Sequence, residues 1–261
     1  MLTTVTFGLA VALLLTTIVQ TVVLVQMVGR VGAQADAQRR ADTELAALRD
    51  RVNNLTERSG QLEERTRGSL NSATVAKAAL PSVFRVRAGR ATGTAFAFGQ
   101  PPTGGGTLLV TNYHVVQDAV NAGQRTARIE RASESYDVTI EKFDVDRDLA
   151  VLRAPQTFPR LTAARNPVQV GEPVVVVGAP LGLTDTVTTG VVSAVRDDVP
   201  GLGTRVIQFD AAINAGSSGG PVINAEGRVV GVARAKIVRQ NADGLGLAIP
   251  ISEVCEGLLT C

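Results

Sequence analysis

The sequence has a single histidine, His114, no tryptophan, and only two cysteines, Cys255 and Cys261, both near its C-terminus. A zinc or iron site gathers several imidazoles, thiolates or carboxylates into one cluster, and these cysteines have no histidine-rich companion, so neither a metal nor a cofactor is expected. Aromatics make up 3% of residues. A core must therefore come from Val, Leu, Ile and Ala, and the Val-rich runs favour strands over helices. The formal net charge is +2 with no large basic block behind it, so nucleic acid is not an expected partner. Any reaction that needs an imidazole base has one candidate.

What is present divides the chain by composition. A hydrophobic fraction of 45% over 261 residues is enough for one sizeable domain plus an extension. Residues 5–28 carry no charged side chain, and a stretch of about 20 apolar residues is what a bilayer-spanning helix requires. Residues 1–30 therefore read as a transmembrane anchor, crossing the cell membrane once. A cleaved signal peptide is the competing reading, since Ala33-Gln34-Ala35 has the small residues of a cleavage site. The apolar run is longer than an ordinary signal core of about 7 to 15 residues. No Lys or Arg precedes the span, whereas Arg30, Arg39, Arg40 and Arg49 follow it, which by the positive-inside rule alone holds the C-terminal side in the cytoplasm.

Residues 31–67 carry a heptad pattern. Leu45, Leu48, Val52, Leu55 and Leu62 recur at alternating spacings of three and four, with Ser59 in one expected apolar slot. Two readings stand: a coiled coil that joins copies of the chain into a dimer or trimer, and a solvated helical stalk. Residues 68–77, opening with small polar residues from Gly68 to Thr74, read as a linker.

Residues 78–261 read as an all-β domain. Short apolar runs alternate with turn signals, from Val83–Arg87 through Thr107–Asn112, Leu149–Arg153 and Val229–Ala235 to Gly246–Pro250. Roughly twelve such strands is the count of two six-stranded barrels. Asn224-Ala225-Glu226-Gly227 reads as a hairpin turn with glycine where the chain takes a positive φ.

Nucleophilic catalysis needs a weak nucleophile, a base within reach, and a third group that holds the base in the right tautomer. Ser218, His114 and Asp148 are of the three types. Each has a plainer reading. A lone histidine in a strand-rich segment can be a satisfied core residue, and the Gly216–Pro221 cluster on its own is a flexible loop. Asp144 and Asp146 compete with Asp148, which directly precedes Leu149-Ala150-Val151-Leu152. The glycine-serine spacing also fits the α/β-hydrolase elbow, but the base of those enzymes follows its serine and this chain has no histidine after position 114.

Taken together, Thr111-Asn112-Tyr113-His114-Val115-Val116, Asp148-Leu149-Ala150-Val151-Leu152, Asn214-Ala215-Gly216-Ser217-Ser218-Gly219-Gly220-Pro221 and Gly244-Leu245-Gly246-Leu247-Ala248-Ile249-Pro250 resemble the trypsin-like serine proteases of the HtrA/Deg type. The resemblance runs from about residue 78 to 254. It implies two perpendicular six-stranded β-barrels with the catalytic groups in the cleft between them, Ser218 as nucleophile, His114 as base and Asp148 as its orienting acid. It further implies an oxyanion site from the backbone of Gly216, Ser217 and Ser218, although Ser217 stands where the family usually has Asn.

By the same resemblance Ala212 and Ile213 line the pocket for the residue before the scissile bond. Ala233, Arg234 and Ala235 offer an edge strand to an extended or partly unfolded polypeptide. No acid is evident at the pocket base, so a small to medium apolar side chain is expected there, and Asp210 reads as structural. The protease domain is expected outside the cytoplasm, without the usual C-terminal PDZ domain. Cys255 and Cys261 either pair or remain two buried thiols. A catalytically silent scaffold and a secreted soluble protease are the rival readings.

Overall fold

The computed structural model describes residues 27, 39, 45–46, 48–57, 71–179, 185–197, 199, 205–234 and 245–261. The chain falls into two compact units, Met1–Arg65 and Thr66–Cys261. In the first, residues 48–57 are helical, and Leu45, Leu48, Val52 and Leu55 are 50 to 65% exposed. The heptad seam is therefore uncovered within a single chain. Leu62 and, apart from Met27, the expected span over residues 5–28 lie outside the described residues. Among the described residues no helix is long and apolar enough to cross a membrane.

The second unit opens with helix α1 (Ser72–Ala79), which starts inside the stretch expected to be a linker. The small polar residues from Gly68 to Thr74 suggest a loop. The Asn71 side chain, however, accepts the Thr74 N–H at 3.1 Å as an N-cap, and Val75 and Ala79, four residues apart, bury one face.

Two closed barrels follow. The first contains β1 (Val83–Ala88), β2 (Ala91–Ala97), β3 (Thr107–Thr111), β4 (Thr126–Arg131), β5 (Glu134–Asp144) and β6 (Leu149–Ala154), in the spatial order β1-β2-β3-β6-β5-β4. The second contains β7 (Pro173–Gly178), β8 (Thr186–Arg196), β9 (Val206–Phe209), β10 (Pro221–Asn224), β11 (Val229–Arg234) and β12 (Gly246–Pro250), in the order β10-β11-β12-β9-β8-β7. All pairings are antiparallel, and β1 with β4 and β10 with β7 close the rings, so neither sheet has an open edge. The hairpin between β10 and β11 turns at Gly227, with φ of 75°.

Two helices complete the domain. Helix α2 (Tyr113–Asn121) follows β3 directly, where the sequence shows only the end of a strand. Helix α3 (Ile251–Gly257) follows β12.

Each barrel has its own interior, around Phe84, Leu109, Ile129 and Leu152 in the first and Val174, Val192, Phe209 and Val222 in the second. A further cluster joins them, with Phe96, Phe98 and Val151 against Val175, Val177, Ile223 and Ile249. Leu258 and Leu259 of the C-terminal tail belong to the same cluster. A disulfide between Cys255 and Cys261 closes that tail on α3, resolving the alternative left open by the sequence. Full burial of each such side chain is worth about 1.5 to 3 kcal/mol, so the joining cluster couples the barrels strongly.

Candidate active site

His114 owes its position to the switch from strand to helix. Asn112 is extended, with ψ of 150°, and the chain enters α2 at Tyr113. His114 therefore lies in the first helical turn, where backbone N–H groups lack intrahelical partners. Asp148, in the turn before β6, supplies one. Its Oδ1 accepts the His114 backbone N–H at 2.9 Å, while its carbonyl accepts from Tyr113 N–H at 3.1 Å and from the Asn112 side-chain amide at 3.0 Å. A carboxylate at a helix N-terminus is also favoured by the helix dipole.

The same carboxylate holds the imidazole. His114 Nδ1 is 2.9 Å from Asp148 Oδ2 and 3.1 Å from Oδ1. That contact fixes the ring plane and places a proton on Nδ1, which leaves Nε2 as the basic nitrogen. Asp148 sits in the left-handed region with φ of 55°, a conformation that Asp and Asn tolerate better than most residues. Burial alone pushes the Asp148 carboxyl up. The hydrogen bond and charge of the His114 ring, the His114 backbone N–H and the charge of Arg234 outweigh it, and hold the group below the ordinary aspartate value.

The competing acids are used differently. Asp144 accepts from Arg147 through its backbone N–H and its guanidinium, both at 2.9 Å, and is held below its ordinary value chiefly by that backbone hydrogen bond. Arg147 also reaches Glu253 on α3 at 2.9 Å, bracing the Asp148 turn against the C-terminal helix. Asp146 is exposed. Of the three, Asp148 alone has its carboxylate on His114.

Ser218 comes from the second barrel, in the loop before β10, and is 5% exposed. The Ser217 N–H donates to the Asn214 carbonyl at 2.8 Å across Ala215 and Gly216. With Gly216 at φ of 99° and Ala215 not among the positive-φ residues, this is a type II turn, which requires glycine at its third position. Ser217 fits it without Asn, its Oγ accepting the Asn214 N–H at 3.3 Å. At Gly219 a Cβ would lie 2.1 Å from the Thr94 carbonyl oxygen, so the loop tolerates no side chain there.

One residue that the sequence does not single out ties this loop to the first barrel. Thr94 on β2 donates its hydroxyl to the Gly216 carbonyl at 2.6 Å and accepts the Ala179 N–H at 3.0 Å, while its own N–H donates to the Ser218 carbonyl at 2.8 Å. It is fully buried. Nothing in a Gly-Thr-Ala strand sequence marks such a role; it arises only when the barrels meet.

The expected substrate-binding residues divide. Ala212 is exposed and Ile213 packs partly against the second barrel's interior. Both hydrogen-bonding groups of Ala233 are engaged by the Ser218 loop, its N–H donating to the Gly220 carbonyl and its carbonyl accepting from the Gly219 N–H, each at 2.8 Å. The backbone of Ala233 thus braces Ser218 and is not free to pair with another strand. Arg234 turns its side chain to Asp148. Ala235 lies outside the described residues. Asp210 accepts the Val191 N–H at 2.6 Å, a structural contact.

Two closed six-stranded barrels, with a His–Asp pair on one and a serine loop on the other, define the two-barrel class of serine protease folds. Residues 91–232 match the trypsin-like peptidase domain family, and the chain belongs to it, with an HtrA-like domain. Among its relatives, the chloroplastic Protease Do-like 1 of Arabidopsis thaliana is 37% identical over 157 residues, covering 56% of this chain and 35% of that one. Serine protease HTRA3 of Mus musculus is 36% identical, covering 56% and 33%. The chain thus spans about a third of the length of these relatives. Among solved structures, Rv3671c from M. tuberculosis H37Rv in an inactive form superposes with a TM-score of 0.60 at 26% identity, over 72% of this chain and 89% of that one.

Proposed function

We propose that the chain is a serine endopeptidase, anchored in the cell membrane through residues 5–28, that cleaves extended or partly unfolded polypeptides outside the cytoplasm. The observation that carries this reading is the contact of His114 Nδ1 with Asp148 at 2.9 Å, which leaves Nε2 as the base for a nucleophile. Ser218 is that nucleophile. Its Oγ attacks the scissile carbonyl as its proton passes to His114 Nε2, and Asp148 stabilises the imidazolium. His114 then gives the proton to the leaving amine, and water releases the acyl group from Ser218 by the same steps in reverse order of roles.

The backbone N–H groups of Gly216 and Ser218 receive the developing oxyanion, a donor there being worth about 2.7 to 4 kcal/mol in the transition state, while the Ser217 N–H holds the turn through the Asn214 carbonyl. Ala212 and Ile213 border the pocket for a small to medium apolar side chain. The chain leaving β11 at Arg234 and Ala235 offers backbone to the substrate. The heptad-patterned segment 31–67 joins copies into a dimer or trimer.

Labelling with a fluorophosphonate tests the chemistry. The full chain is expected to react at one site and Ser218→Ala not at all, with loss of peptide hydrolysis. An intact, folded chain that neither labels nor hydrolyses is a silent scaffold. Fractionation of cells carrying the full chain and a form lacking residues 1–30 tests the anchor, and N-terminal sequencing separates it from a cleaved signal.

A further inference from the structure

We propose that Arg234 is a positioning residue for His114, acting through the one carboxylate they share. The inference rests on His114 serving as the base.

Arg234 ends β11, on the second barrel, and its side chain is 13% exposed. Its Nε lies 3.0 Å from Asp148 Oδ2, the same oxygen that His114 Nδ1 approaches at 2.9 Å. The remaining oxygen, Oδ1, is occupied by the His114 backbone N–H. Two cationic or potentially cationic groups from opposite barrels therefore converge on a single buried carboxylate.

The contact is one of charge more than of direction. Both Nε and Nη1 of Arg234 are buried and find no aligned acceptor among the described residues. A guanidinium so placed depends on Asp148 for the compensation that makes its burial tolerable. Among the described residues no other charged group of the surrounding elements does this. Asp118, on the helix of His114, is exposed, as is Asp146 in the turn of Asp148. Asp144 and Arg147 pair with each other, and Arg147 with Glu253 of α3. Strands β2, β10 and β12 carry no charged residue.

The consequence follows from the charge balance. Before proton transfer the trio of Arg234, Asp148 and neutral His114 sums to zero; afterwards it sums to one positive charge. Without Arg234 the same transfer would end at zero. Arg234 thus opposes imidazolium formation through its charge and holds Asp148 in place for the ring.

The test uses the full chain and its single histidine, whose Cε1–H resonance reports the imidazole directly. In Arg234→Met the midpoint of that titration, and of the acid limb of kcat/KM with a fluorogenic peptide, should rise by about one pH unit, and Arg234→Lys should restore both. Should Arg234→Met fail to fold, Arg234→Gln is read in its place. A midpoint within 0.2 units of the parent, with only the melting temperature changed, overturns the proposal and leaves Arg234 a structural ion pair. The NMR titration needs no turnover, so a parent chain that hydrolyses no peptide while Arg234→Met shifts the midpoint sinks the protease reading alone.

Discussion

The Thr94 hydroxyl of the first barrel donates to the Gly216 carbonyl of the second at 2.6 Å, so the turn that carries the proposed oxyanion donors is held from across the barrel seam. Thr94→Val keeps the shape and deletes both hydroxyl hydrogen bonds, leaving the Gly216 carbonyl without its donor and the Ala179 N–H without its acceptor. We expect kcat to fall roughly tenfold to a hundredfold, the scale of leaving a buried polar group unpaired beside the site, with a smaller loss in Thr94→Ser. Equal kcat in Thr94→Val and the parent would show that the turn holds itself.

Asp148→Asn should slow hydrolysis by about 10⁴, because the amide favours the wrong imidazole tautomer. The fold should survive, since Asn accepts the left-handed backbone that Asp148 adopts at φ of 55°. Asp146→Asn, at an exposed position, should leave kcat within about twofold, as surface substitutions generally do. Steady-state kinetics on the two variants, with circular dichroism as the control for folding, decides between the acids.

Acid should destabilise the domain in a defined sense. Asp144 and Asp148 are both held below the ordinary aspartate value, so the folded state binds their protons less readily than the unfolded chain. Their contribution is full above the unfolded value, about 3.9, and is lost as pH falls through the lower folded values. The melting temperature should therefore drop as pH is lowered from about 5 towards 3. Asp144→Asn should drop less steeply over that window, and parallel curves for the two proteins would remove Asp144 from the account.

The uncovered seam of Leu45, Leu48, Val52 and Leu55 should set the association state if residues 31–67 pair between chains. Replacing Leu48 and Leu55 by Asp in a form lacking residues 1–30 should lower the mass measured by light scattering to that of one chain. An unchanged mass would move any self-association to the barrel surface.

The barrels were legible because their physics is local. Period-two alternation marks β4 and a valine run marks β7 without reference to any partner, and Gly227 marks its own turn. Helix α2 was not legible, because Tyr113–Asn121 continues the apolar look of β3 and its start is fixed by Asp148, distant in sequence. The linker reading failed at Ser72 for a related reason: small residues suit a loop or a helix equally until Val75 and Ala79 find a surface to cover. Thr94 escaped notice altogether, and Arg234 was read as an edge-strand residue for substrate, not as a partner of Asp148. Their partners, Gly216 and Asp148, lie on the opposite barrel, and no spacing along the chain announces such contacts.

The division of the site between two barrels bears on how the chain is made. His114 and Asp148 are complete with the first barrel, whereas Ser218 and Arg234 are translated later, and the leucines that help seal the joining cluster, Leu258 and Leu259, come at the very end of this sequence. On the proposed reading, a nascent chain paused after β6 holds the base but not the serine, so hydrolysis would wait until the second barrel is made.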